Sequence, residues 1–193
     1  MQPKQESGFA LLVTIIVVGV VVAIGISILD LSIKQVRLTT TSRDSELAFH
    51  AANAGLECAR FNRLSSASAM EVGAAVAPTC FSGASPATLD VNNRSTLVDG
   101  VDGQSFLYRW DFTWGEVTTR RCSRMSILVA STTPTGSGVT TPNMQTNFPG
   151  FEGATHFCEP SARCTVISVQ GFNRPCGSVG LEGTVQREVL LQF

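Results

Sequence analysis

FALLVTIIVVGVVVAIGISIL, residues Phe9 to Leu29, is a run of 21 residues without a charge. A helix of about 20 apolar residues, rising 1.5 Å per residue, crosses a bilayer core. A segment that crosses alone must be helical, because only then are its backbone hydrogen bonds satisfied internally. A buried core helix is rarely apolar all round over this length. A secretory signal peptide is the nearer alternative, and Ala23 to Ser27 supplies small residues of the kind found at a cleavage site. Its apolar region is usually about 7 to 15 residues, so the length favours a span. Gly19 and Gly25 are the points where this helix bends or admits a close neighbour, at a glycine content ordinary for membrane helices.

Working outward, no proline occurs between Gln5 and Pro78 and no glycine between Gly25 and Gly55. The helix is therefore expected to continue through residues 30–63. DLSIKQVRLTTTSRDSE, residues 30–46, carries no long apolar stripe and reads as a solvated or shared stretch. LAFHAANAGLECARF follows, in which Leu47, Ala51, Ala54, Cys58 and Phe61 recur at helical spacing and predict a face packed on a sheet. A helix from Phe9 to Arg63 would measure about 80 Å, half of it outside its own domain.

Residues 64–193 read as a globular head. LSSASAMEVGAAVAP is a loop by its breakers. Strand-like runs occupy Ser105 to Trp114, Arg124 to Ser131, Cys164 to Gly171 and Thr184 to Phe193, each rich in β-branched or aromatic residues. Phe106, Tyr108 and Trp110 alternate with Leu107 and Arg109, so one face of that strand is available to cover the helix. The second and third runs are joined by TTPTGSGVTTPNMQTNFPGFEG, a length and composition that predict a functional or mobile loop. The expected fold is α+β: a long N-terminal helix, membrane-spanning in its first half, packed by its C-terminal half on an antiparallel sheet of four or five strands.

Six cysteines, Cys58, Cys80, Cys122, Cys158, Cys164 and Cys176, all follow the apolar run. Disulfides persist in oxidising compartments and help small domains most, so a disulfide-bonded head is expected outside the cytosol. Cys58 and Cys80 are a pair that would staple the loop to the helix. Six cysteines allow 15 pairings, and the rest stay open. Zinc is the competing reading, with His156 close to Cys158 and Cys164, although those two cysteines are more widely spaced than zinc pairs usually are. Orientation carries a conflict, since Lys34, Arg37 and Arg43 beyond the span outnumber Lys4 before it, which by charge alone puts the head inside. The cysteines argue the reverse and weigh more.

Charge is nearly balanced, 14 Lys+Arg against 15 Asp+Glu, which offers no strongly basic face to nucleic acid. Arg120, Arg121 and Arg124 form the one basic cluster and read as a solvated strand face. His50 and His156 are the only histidines; no G-x-S-x-G elbow, H-E-x-x-H or phosphate loop occurs. Asp90, Asn92, Asp99 and Asp102 faintly resemble calcium ligands, but Asp99-Gly100 and Asp102-Gly103 read more simply as turns. Asn93-Arg94-Ser95 matches a glycosylation sequon, too common a pattern to carry weight. No catalytic residue, cofactor, metal site or nucleic-acid partner is expected.

Gly8 followed by Phe9, after the polar leader MQPKQESG and before the apolar run, resembles the signature read by prepilin peptidase. AFHAANAGLECA, Ala48 to Ala59, is similar to the AFYAAEAGLERA pattern of minor pilins of the PilX type and of tip pseudopilins of type II secretion. The resemblance covers residues 1 to about 60 and, beyond them, only the layout. It implies a cleaved leader, residues 1–8, with methylation of the new Phe9 amine; a transmembrane segment, residues 9–29; and the continuing helix and head. Partners implied are other pilin subunits through the N-terminal helix, prepilin peptidase, and the bacterial inner membrane before assembly into a cell-surface or periplasmic filament. Major pilins carry glutamate as the fifth mature residue, where this chain has Val13. That departure favours a minor or tip subunit. The alternative is a membrane-tethered extracytoplasmic enzyme or binding domain that never assembles.

Overall fold

The computed structural model describes residues 7–80, 94–116 and 119–193, and divides into two compact units, Met1–Arg43 and Asp44–Phe193. Helix α1 runs unbroken over Ser7–Ser65 and contributes to both. In the first unit it is the only described element, and every residue from Phe9 to Arg43 is exposed. Its β-branched residues are mediocre helix formers in water, but a helix is what an apolar segment of this length must form in lipid.

The second unit is α+β. After α1 come α2 (Ala67–Glu71), β1 (Arg94–Gly100), β2 (Gly103–Trp114) and β3 (Arg121–Thr132). Then follow β4 (Val139–Thr141), α3 (Met144–Asn147), β5 (His156–Cys158), β6 (Arg163–Phe172) and β7 (Gln186–Gln192). Five strands form one antiparallel sheet in the order β1-β2-β3-β6-β7, and β4 and β5 form a two-stranded ribbon. The expected antiparallel sheet packed by the C-terminal half of a long helix is present. Strand β1, unexpected from the sequence, adds the fifth member through a hairpin in which Gly100 faces Gly103. The two Asp-Gly dipeptides flank that turn, as the turn reading required.

Alternation along β2 sorts two cores. Phe106, Tyr108, Trp110 and Phe112 face α1 and pack with Met125, Ile127 and Val129 of β3 and Ile167 and Val169 of β6. Leu107, on the opposite face, packs with Leu128, Val166, Met144, Phe148 and Phe151. The long β3–β6 connection, expected as a functional or mobile loop, instead covers this second face. It buries Phe148 and Met144 completely, and that apolar cover accounts for its order. The 64–78 stretch likewise contains a helix, α2, whose Met70 is buried in the first core; the Tyr108 hydroxyl lies 3.2 Å from the Met70 carbonyl and 3.0 Å from that of Ala74, just beyond the helix.

The packed face of α1 is rotated from the expected one. Ala48, Ala51, Ala52 and Ala59 are fully buried, with Gly55 and Cys58 beside them, whereas Leu47 and Ala54 are half-buried and Phe61 is 60% exposed. The reason is close approach. A methyl group built on Gly171 of β6 would fall on the Ala48 carbonyl oxygen and the Ala52 amide nitrogen, and one on Gly55 would meet Val169 and Ser123. Only the smallest side chains fit between helix and sheet, so phenylalanine sits outside. Ser123 links the layers: its hydroxyl donates to the Ala51 carbonyl at 2.7 Å and accepts from Trp114 Nε1 at 2.8 Å.

Candidate functional site

The first candidate is the surface of α1 in the first unit. From Phe9 to Leu29 its side chains are aliphatic or aromatic, apart from small and hydroxyl residues, and all are exposed, Phe9 by 76% and Val13 by 41%. Hydroxyls on this stretch turn back onto the helix: Thr14 donates to the Leu11 carbonyl at 2.8 Å and Ser27 to the Ala23 carbonyl at 2.9 Å. Such internal bonds leave no polar group that an apolar surrounding would strand. This helix, near the N-terminus, is long and apolar enough to cross a membrane. Asp30 and Lys34 form an exposed i, i+4 ion pair at 2.9 Å where the polar stretch begins.

Ser7, Gly8 and Phe9 lie at the start of α1, and residues 1–6 of the expected leader are outside the described residues. Val13 sits among aliphatic neighbours, and no carboxylate occurs between Phe9 and Leu29.

All six cysteines are paired: Cys58 with Cys80, Cys122 with Cys176, and Cys158 with Cys164. The zinc alternative at Cys158 and Cys164 therefore fails, because both thiols are consumed in a disulfide. Among the described residues no group of three His, Cys, Asp or Glu side chains converges on one point. Asn62 Nδ2 donates to the Cys58 carbonyl at 2.9 Å and lies 3.2 Å from Cys80 Sγ, fixing the staple against the last turns of α1. The Cys176 amide donates to Thr113 Oγ1 at 3.1 Å, so the β6–β7 connection is held to the second face of the sheet.

Other residues singled out from the sequence go separate ways. His50 is exposed near Glu46, at 3.6 Å. His156 is partly buried edge-on to Phe151, with Nδ1 lacking a hydrogen-bond partner, and burial lowers its pKa from the ordinary histidine value. Arg121 lies over the Trp114 ring. Arg124, three residues on and therefore on the opposite face, makes a bidentate pair with Asp111 and lies over Phe172. The basic cluster is not one patch. Asp90, Asn92 and Asn93 fall outside the described residues, and the Asp102 carboxylate accepts from Ser137 at 2.7 Å.

One ionic group escaped the sequence reading. Arg63 and Glu71 pair at 3.0 Å with side chains only 7% and 11% exposed, and Arg63 Nε also donates to Thr165 Oγ1 at 3.0 Å. No pattern marks this pair in the sequence, since its members belong to different helices joined across a bend.

Comparison with family models, with curated proteins and with solved structures finds no match for this chain.

Proposed function

We propose that the chain is a pilin-like subunit, a minor pilin or pseudopilin, that assembles through its N-terminal helix into a type IV pilus or type II secretion-like filament. The observation that carries this reading is α1 itself: one unbroken helix with an entirely exposed apolar stretch at its start and a small-residue face buried in a disulfide-bonded α+β head at its end. Exposed apolar surface on this scale needs lipid or other helices around it. The Gly8–Phe9 junction and AFHAANAGLECA support the same reading by resemblance. On this reading the leader is removed by prepilin peptidase, Phe9 is methylated, and the subunit waits in the bacterial inner membrane with its head outside. It works by packing and recognition rather than by catalysis.

Val13 supports a place at or near the filament tip. In the related filaments the fifth-residue glutamate of an incoming subunit neutralises the N-terminal amine of one already assembled, since a lone charge in an apolar core is costly. A chain with Val13 offers no such carboxylate, yet presents its own amine to a later subunit. Mass spectrometry of the N-terminus tests the assembly reading. A chain beginning at N-methylated Phe9 is expected, and an intact Met1 or a cut near Ser27 overturns it. Gold labelling of the head on sheared filaments tests the position, with label at one end expected and regular label along the shaft excluding the tip.

A further inference from the structure

The two edges of the five-stranded sheet differ. At β1 the register slips between Thr96 and Val98, and such a bulge blunts an edge against further pairing. At β7 seven consecutive pairs with β6 run without a shift. Thr165 and Phe193 exchange both backbone hydrogen bonds, at 2.8 and 3.0 Å, which sets the phase of the ladder. In an antiparallel pair the bonded positions alternate, so Leu191, Val189 and Arg187 turn their amides and carbonyls inward to β6. Glu188, Leu190 and Gln192 turn theirs outward, where no hydrogen bond reaches them among the described residues. The cores also stop here half-finished. Leu191 closes the core under α1 and Leu190 the core on the other face, and both remain half-buried.

We propose that the outward edge of β7 binds an extended strand of another polypeptide, with apolar residues beside Val189, Leu190 and Leu191, an acidic residue beside Arg187 and a basic one beside Glu188. The backbone supplies the hydrogen bonds of a sixth strand, and the added side chains complete both cores. Charge sets the partner's chemistry. Arg187 is exposed on the α1 side, bonded among the described residues only to the neutral Ser45 hydroxyl, and Glu188 lies on the other side, accepting from the neutral Ser168 hydroxyl at 2.6 Å. A second copy of β7 is a poor occupant, because its side chains on the α1 face include no acid to meet Arg187. This inference concerns the head alone and stands apart from the filament reading.

The test uses the full chain in detergent micelles and two synthetic peptides, Thr-Val-Ile-Val-Lys-Glu-Thr and its charge-swapped form Thr-Val-Ile-Val-Glu-Lys-Thr. Run antiparallel to β7, the first sets lysine opposite Glu188 and glutamate opposite Arg187, whereas the second opposes like charges. Residue-resolved hydrogen exchange should show the amides of Glu188, Leu190 and Gln192 slowed about tenfold or more by the first peptide and not by the second. Gln192→Pro removes only an outward amide, so it should keep Val189 and Leu191 protected while weakening the peptide's effect. No slowing by the first peptide, or equal slowing by both, overturns the proposal. Outward amides that are already slow without peptide, together with concentration-dependent self-association, overturn it in favour of a second copy.

Discussion

Replacing Gly171 by alanine probes the contact that decides the head. The added methyl would sit on backbone atoms of α1, the Ala48 carbonyl oxygen, the Ala51 carbonyl carbon and the Ala52 amide nitrogen, inside van der Waals contact with all three. Backbone in a helix cannot rotate away as a side chain can, so α1 must lift from β6 and loosen the packing of Ala48, Ala51 and Ala52. Overpacking a well-filled core typically costs about 1–3 kcal/mol, and the rigidity of these neighbours puts this site at the upper end. The lower entropy of the unfolded alanine chain returns about 0.4–1 kcal/mol, which leaves a net loss of about 2 kcal/mol. For a domain of about 150 residues, each kcal/mol moves the midpoint by about 2–4 °C, so a fall of about 4–8 °C is expected. Thermal unfolding of the oxidised protein, followed by near-ultraviolet circular dichroism, reads it. Gly55→Ala, which meets only the side chains of Val169 and Ser123, should cost less, and Gly177→Ala, with open space around it, about 0.5 kcal/mol or less. A Gly171→Ala midpoint equal to that of Gly177→Ala would refute the close helix–sheet approach.

Ala51 is fully buried and Ala54 half-exposed on α1, so Ala51→Glu should abolish or severely weaken the fold while Ala54→Glu melts near the parent; equal, severe losses from both would return the helix to the face expected from sequence, and a parent-like Ala51→Glu would contradict its burial. Glu71→Gln should cost about 3–5 kcal/mol by leaving Arg63 buried beside a neutral partner, and Arg63→Met combined with Glu71→Leu should recover part of that loss in a denaturant titration. Tyr108 is the one tyrosine of the chain, and its burial, opposed by the Arg94 and Arg63 charges, raises its pKa above the ordinary 10.0. The stability that this shift contributes is therefore fully present below about pH 10 and lost as pH rises through the raised value. Ultraviolet absorbance should show the phenol ionising later in the native than in the denatured protein, and coincident titrations would contradict its burial. For His156, lowered by burial, the sign is opposite: stability is intact above the unfolded value near 6.5 and falls in acid, an effect that His156→Phe should remove from the pH dependence of unfolding.

Much of the architecture was legible because it rests on local pattern. A run of 21 uncharged residues predicts a spanning helix by length alone, and the absence of proline and glycine beyond it predicts its continuation. The β2, β3, β6 and β7 runs show themselves by alternation and β-branched composition. The Gly8–Phe9 junction and Val13 are matters of sequence that the fold leaves where they were. What only tertiary structure decided are relations between distant segments. Small residues occur on several faces of α1, and the face that packs was chosen with Gly171, more than a hundred positions away, because there the helix and sheet backbones come close enough to exclude phenylalanine. The Thr-, Gly- and Pro-rich connection became a second layer because Met144, Phe148 and Phe151 found Leu107, Leu128 and Val166 uncovered. The pairings of Cys122 with Cys176 and of Cys158 with Cys164 depended likewise on which strands became neighbours. Periodicity records which side of an element is apolar; which apolar side it meets is set by packing, where shape and close approach discriminate among partners that composition alone leaves equivalent.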